Sequence, residues 1–509
     1  MSSRTPVHAS LAKSGQAWLG LMGRRARFIL VVVLVGVVAS LTRYGFDVVT
    51  GWVTSVVYLG RSARIIEAVS ASPWPMRVIL PAAGIVIAVL IARLLRTSGP
   101  TGVPDIMEVV ALGGRPMSLR NSLSRTLSAL ATIAFGGSVG REGPIIHFAS
   151  SVSGQIGIAA GLSDERRRIL IGCGTAAGLA SAYGTPLSAT LFVMEVIAGG
   201  FAAELLLPCL LASVSASLVL WATGASQLGL YQTRIFAIQN PAEIGIQALL
   251  GAALGVVAAL FSEMHHWLPR WLRVLRLPPL PLALVGGLGV GALVAFLPHV
   301  AGNGYFGIVD MLSGALPWTM LFTLAAAKLV ASHLTIGAGG AGGLFTPTLF
   351  IGAALGAFFG HFAETLVPGA SPKEAYAILG MAAMLAGTMR APLLAVVMLV
   401  EMTRDVMIIP SLMVAVTFAV VAARLLKRES LYAEELRRRG IPWEGAIEQR
   451  VLRALHVRDI MRTDVPRVAS NLPLASVLDT FSQTGSIYVY VCDVLGKFTG
   501  VIDVREMAG

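Results

Sequence analysis

Along this chain, polar and charged residues separate long apolar tracts instead of alternating with apolar ones. The tracts cover 28–41, 78–92, 169–198, 205–220, 244–261, 282–296, 318–331, 375–400 and 408–423. A straight membrane-spanning helix needs about 20 apolar residues. Several tracts are shorter, and glycine or proline interrupts others, so the pattern predicts short, tilted or broken helices at membrane depth. Broken backbone is tolerated there where it lines a cavity, and the freed helix N-termini make anion sites. The pattern therefore points to transport.

Composition gives the class. Of the 509 residues, 55% are hydrophobic and 13% charged, and the mean hydropathy is +0.76. That excludes an ordinary soluble domain and predicts an all-α polytopic membrane protein. The net charge of +12 is no sign of nucleic-acid binding, because the basic residues flank apolar tracts. Arg24, Arg25 and Arg27 precede the first tract, Arg166–Arg168 flank another, and Arg424, Lys427, Arg428 and Arg437–Arg439 follow the last. By the positive-inside rule both termini are cytoplasmic, in a multi-pass protein of the cell (plasma) membrane. Residues 1–27 read as a cytosolic tail without a signal-peptide cleavage site. Cys173, Cys209 and Cys492 are isolated, so neither a disulfide framework nor a metal cluster is predicted.

Two segments repeat. Gly140-Arg141-Glu142-Gly143-Pro144 is answered by Gly343-Leu344-Phe345-Thr346-Pro347, with prolines 203 positions apart and glycines before each. Thr185-Pro186-Leu187 with Glu195 is then matched, 206 positions on, by Ala391-Pro392-Leu393 with Glu401. Two correspondences at nearly one offset imply a duplicated plan, common in transporters whose site lies between the repeats. Parallel and inverted arrangements both fit the spacing.

Glu142 is the most informative residue. A carboxylate at bilayer depth costs roughly 3 kcal/mol or more, which makes it a functional-site candidate by default; a solvated Arg–Glu pair in a membrane-edge loop is the plainer reading. Glycine-rich loops opening into helices present unobstructed N–H groups and the positive end of the helix dipole, which suits a dehydrated anion held weakly enough to leave. The same glycines also serve close helix packing.

Together these residues resemble the CLC family of chloride channels and chloride/proton antiporters. Gly140–Pro144 is similar to its GREGP signature and Gly343–Pro347 to its GxFxP segment. Arg390-Ala391-Pro392-Leu393 through Glu401-Met402-Thr403 resembles its RAPL…EMT helix, and Ser430-Leu431-Tyr432 the start of its last helix. The resemblance implies a CLC-type fold of tilted and broken helices in two inverted repeats, assembled as a homodimer with one chloride pathway per subunit. It implies a gating role for Glu142, whose carboxylate competes with anions until protonated. It also implies an anion site drawn from Thr101, Gly102, Arg141, Gly143, Leu344, Phe345, Thr346 and Tyr432, with backbone amides from Leu344 and Phe345 and hydroxyls from Thr101 and Tyr432.

Two departures from the family pattern matter. Pro100-Thr101-Gly102-Val103-Pro104 stands for the family's GSGIP, and Pro100 lacks an N–H, so weak inner-site binding is expected, with the choice among chloride, bromide and nitrate open. The positions of the family's proton-passing acids hold Val196 and Met107, which cannot carry a proton. The reading is thus a chloride channel, with a chloride/proton antiporter as the alternative and an intramembrane enzyme using Glu142 and His147 as a distant one. His147 is expected to pack or bond locally, and Glu195 and Glu401 to cap or brace helix ends.

After Tyr432 the sequence turns polar. Residues 28–432 are read as the transmembrane domain, 433–455 as a linker and 456–509 as a small α/β region resembling one CBS motif. Its signs are Val457–Met461, a helix opening at Pro473-Leu474, and strands at 486–491 and 500–502. Asp503 and Glu506 replace the ribose-contacting hydroxyl and aspartate, so adenine-nucleotide binding is not expected, and no cofactor is predicted.

Overall fold

In the computed structural model, residues 6–62, 64–97, 102–113, 117–224, 231, 236, 240–441, 443 and 457–503 are described. The chain divides into two compact units, Met1–Arg450 and Val451–Gly509. The first half of unit one carries α1 (Pro6–Val57), α2 (Ile65–Ser70), α3 (Trp74–Leu94), α4 (Val103–Met107), α5 (Leu119–Ala134), α6 (Glu142–Ala159), α7 (Asp164–Tyr183), α8 (Pro186–Phe192) and α9 (Ala203–Ala222). The second carries α10 (Glu243–Val274), α11 (Pro279–Phe296), α12 (Tyr305–Leu312), α13 (Trp318–Gly337), α14 (Phe345–Leu366), α15 (Lys373–Met389), α16 (Pro392–Thr403), α17 (Ile409–Leu426) and α18 (Leu431–Arg438). Among the described residues, eight helices are long and apolar enough to cross a membrane. Their outer faces carry residues such as Leu30, Leu207, Phe296 and Leu425, each at least 69% exposed, as a lipid-facing surface requires.

Three boundaries depart from the apolar tracts, each for a local reason. The helix opening the first tract continues past residue 41 to Val57, because Arg43 and Asp47 pair one turn apart at 2.9 Å and remove the obstacle of two charges. The tract 169–198 breaks at Gly184, which takes a left-handed φ of +70° and closes α7, and Pro186 opens α8 at its first position. The tract 375–400 breaks the same way, but the left-handed residue is Arg390, at φ +60°. A side chain there is strained. Its guanidinium compensates by donating to the carbonyls of Gly387 (2.6 Å), Ala423 (2.8 Å) and Lys427 (2.7 Å).

The α14 helix escaped the tract pattern because Pro347 and several glycines dilute it. Pro347 is the third residue of α14, as Pro144 is of α6, and first-turn N–H groups have no partner within the helix to lose. The glycines serve packing: a Cβ on Gly352 or Gly356 would run into the backbone of α15 at Gly380 or Tyr376. Helices α5–α9 recur as α13–α17. The linker expected from residue 433 begins later, since α18 runs to Arg438; Leu431 and Leu436 are buried and hold it against the membrane domain.

Among its described residues the second unit carries α19 (Val457–Ile460), β1 (Arg467–Ala469), α20 (Leu474–Thr484), β2 (Tyr488–Cys492) and β3 (Phe498–Asp503). Strand β1 pairs parallel to β2, and β2 antiparallel to β3. Val468, Val477, Phe481 and Val489 form its core. Strand β1 was not anticipated: three residues are too few for an alternating pattern to register. Glu506 lies outside the described residues.

Candidate functional site

The site is built where the two repeats touch. In each, a helix ends, a glycine takes a left-handed turn, and a short extended loop leads to the next helix N-terminus. Gly136 (φ +98°) follows α5 and Gly339 (φ +100°) follows α13. The Ser138 N–H then donates to Thr335 Oγ1 on α13, and the Ala341 N–H to Thr132 Oγ1 on α5, both at 3.2 Å. Two residues further, the loops pair. The Gly140 N–H donates to the Gly343 carbonyl and the Gly343 N–H to the Gly140 carbonyl, each at 2.7 Å, as an antiparallel bridge. Exchanges in which i binds j and j binds i are the mark of a two-fold relation, here between the two repeats.

That bridge brings the N-termini of α6 and α14 together, concentrating free N–H groups and two dipole ends in one small region. Glycine at both positions leaves room for the approach. A Cβ on Gly343 would sit 2.9 Å from the Gly143 nitrogen, and one on Gly140 would strike Glu142 Oε2.

Glu142 is the first residue of α6 and only 1% exposed. Its Oε2 is buried with no hydrogen-bond partner among the described residues. A buried, incompletely paired carboxylate costs several kcal/mol, and the helix dipole offsets only part of that. The neighbouring Arg141 does not neutralise it by contact. Its guanidinium ion-pairs with Asp47 of α1, which also holds Arg43, so any direct part for Arg141 in anion binding falls to its backbone.

On one side of this junction lies a cavity of about 700 Å³. Gly102, Gly143, Leu344 and Tyr432 of the predicted site line it, with Val103, Pro104, Gly342, Gly343 and Arg125. Arg270 and Arg273 are exposed at its rim. Of the other predicted residues that are described, Arg141, Phe345 and Thr346 are not among its lining. Phe345 is 3% exposed and packs on Tyr183 (5.5 Å) and Phe192 (6.1 Å). The Thr346 hydroxyl bonds the Tyr183 hydroxyl at 2.9 Å. Thr101 and Pro100 lie outside the described residues. Sequence reasoning missed Tyr183 and Arg125. The signal for Arg125 was there: the first charge after Arg120, half-buried in a helix of small and hydroxyl residues.

Met107 (1% exposed) and Val196 (4%) are packed in the apolar core, Val196 in the π-helical turn Val193–Ala198 that follows α8. Glu195 in the same turn reaches across the repeats and accepts the N–H groups of Leu393 (3.3 Å) and Leu394 (2.7 Å) at the start of α16. Glu401 does the converse, accepting Leu187 N–H (3.0 Å) and Ser188 N–H (2.8 Å) at the start of α8. His147 points its ring to Ser122 Oγ (2.9 Å) and Asp105 Oδ2 (3.3 Å).

The sequence pattern of the family described as Voltage gated chloride channel matches residues 83–424. A chloride channel protein ClcB-like of Ralstonia nicotianae is 34% identical over 388 residues, 74% of this chain and 90% of the relative. The voltage-gated ClC-type chloride channel ClcB of Salmonella typhi is 30% identical over 421 residues, covering 80% and 98%. Two solved structures share the fold. A slow cyanobacterial Cl−/H+ antiporter superposes with a TM-score of 0.72 at 22% identity, over 81% of this chain and 98% of that one. A eukaryotic CLC transporter gives 0.67 at 20% identity, over 95% and 98%. With repeats paired about a two-fold axis, a GREGP segment at their junction and this breadth of similarity, the chain belongs to the CLC family.

Proposed function

We propose that the protein is a chloride channel of the cell membrane in which the Glu142 carboxylate closes the anion path and its protonation opens it. The observation that carries this reading is the place of Glu142: a buried carboxylate oxygen, unpartnered among the described residues, beside two converging helix N-termini and next in sequence to Gly143, which lines the cavity with Gly102, Leu344 and Tyr432. A carboxylate there occupies ground that suits a small anion, and a proton removes the competing charge. The subunits pair as a homodimer with both termini cytoplasmic, and the small α/β region serves as a CBS-like regulatory tail.

A channel is favoured over an antiporter because the internal proton route lacks its acids. Met107 and Val196 are apolar and buried, and Glu195 is committed to the α16 N-terminus. The enzyme reading loses its base. His147 is tied to Asp105 and Ser122, and Ser122, the nearest nucleophile of a Ser–His–Asp arrangement, is 0% exposed within α5. The test is purified protein in liposomes under a chloride gradient with external pH recorded. Chloride flux without stoichiometric proton movement is expected. Uphill proton movement driven by chloride would establish the antiporter, and an absence of anion flux in folded dimers would remove both transport readings.

A further inference from the structure

The loop that opens α4 forms one wall of the cavity through Gly102, a residue without a side chain to anchor it. Its anchor is Asp105. The Gly102 N–H donates to Asp105 Oδ2 at 3.0 Å, and the Asp105 N–H returns a bond to the Gly102 carbonyl at 3.2 Å. The same carboxylate reaches two other elements. His147 Nε2 on α6 lies 3.3 Å from Oδ2, and Arg439 Nη1 at the end of α18 donates to Oδ1 at 2.5 Å. Neither partner is free to drift. Ser122 on α5 holds the other ring nitrogen of His147 at 2.9 Å, and the second arm of Arg439 donates to Glu435 Oε1 at 2.6 Å.

The geometry assigns Asp105 and Arg439 as positioning residues of the anion path: Asp105 fixes the Gly102 amide, and Arg439 keys α18, and with it Tyr432, to that loop. The assignment rests on the anion-transport reading. Three walls of one cavity, the Gly102 loop, the α6 segment at Gly143 and the α18 segment at Tyr432, thus converge on a single carboxylate. Hydrogen bonds with a charged partner are about twice as strong as neutral ones, and a guanidinium spans two carboxylates in a way an ammonium does not. Tyr432 and Arg439 are seven residues apart, about two helical turns, so a tie at Arg439 sets the height and rotation of Tyr432. The chain leaves α18 at Gly440, in a left-handed turn of φ +80°, and Ile441 and Trp443 beyond it pack on the same apolar core as Leu431 and Leu436.

The test compares the wild-type chain with Arg439→Gln and Arg439→Lys, each full-length in liposomes. Chloride flux is measured against chloride concentration and in competition with nitrate, and amide hydrogen exchange is followed over residues 102–107. Arg439→Gln should raise the half-saturating chloride concentration about fivefold, more than it lowers maximal flux, and shift the nitrate-to-chloride ratio about threefold. Exchange over 102–107 should quicken about tenfold, the factor for one lost charge-assisted bond. Arg439→Lys, which keeps the charge and guards against misfolding of the glutamine variant, should fall between. Wild-type half-saturation, selectivity and exchange in both variants would overturn the assignment. If the wild-type chain moves no anion, the transport reading falls and the exchange measurement alone decides: quickened exchange upholds the Asp105–Arg439 tie, and unchanged exchange removes it.

Discussion

Glu195 and Glu401 cap one another's repeats: the Glu195 carboxylate takes the first free N–H groups of α16, and the Glu401 carboxylate those of α8. Each sits nine residues beyond its own repeat's proline, so the exchange follows from one duplicated segment meeting its copy about a two-fold axis. Glu401 gains one bond that Glu195 lacks, from the Ser188 hydroxyl at 2.8 Å, because the equivalent position in α16 is Leu394.

If both glutamates are caps, their neutral variants behave alike. Glu195→Gln and Glu401→Gln should each lower stability by about 1–3 kcal/mol, as loss of charge-assisted caps does, with Glu401→Gln the more damaging. Thermal unfolding in detergent reads this directly. A change in proton movement for Glu195→Gln alone would show that Glu195 carries protons.

Removing the Glu142 carboxylate should leave the path open. In liposomes, Glu142→Ala and Glu142→Gln should conduct chloride at a rate nearly independent of pH, while the wild type conducts faster as pH falls. Retained steep pH dependence in either variant would place the gate elsewhere.

Gly140 offers a way to move that carboxylate without deleting it. Its φ is not left-handed, so alanine is tolerated by the backbone, but the new Cβ would collide with Glu142 Oε2. Gly140→Ala should raise chloride flux at neutral pH towards the Glu142→Ala value. Wild-type flux at that pH would mean the carboxylate does not rest against Gly140. Gly343→Ala should behave differently, because its Cβ meets the backbone nitrogen of Gly143 at 2.9 Å and cannot be accommodated by a side-chain shift. Loss of folded protein, read by size exclusion, is the expected outcome.

Lys328 is fully buried in α13, where its ammonium donates to the carbonyls of Val300 and Gly302, each at 2.9 Å. Lys328→Met fills the same volume but leaves two buried acceptors unpaired, at about 1–3 kcal/mol each. A lowered unfolding temperature with unchanged chloride-to-nitrate selectivity is expected. A selectivity change would instead bring Lys328 into the anion path.

Much of this protein was legible one residue at a time. Apolar tracts marked the membrane helices, because burial in lipid demands long runs whatever the tertiary contacts. Glycine and proline within the tracts marked the helices as broken, though not where the 169–198 tract breaks, and the Gly140–Pro144 and Gly343–Pro347 segments marked both halves of the junction. The match of Glu195 with Glu401 was visible as spacing, though not as an exchange.

What the sequence determined by itself was the membrane class, the duplication and the placing of an acid at a helix start, since each depends on hydropathy, period or local backbone preference. Only the tertiary structure decided that the repeats meet about a two-fold axis, that Arg141 turns to Asp47 and Thr346 to Tyr183, and that Asp105 gathers Gly102, His147 and Arg439. The physical reason is the same in each case. A charge or hydroxyl at a given position states what it needs, a partner of opposite character, but which partner lies within 3 Å is settled by how helices far apart in sequence pack.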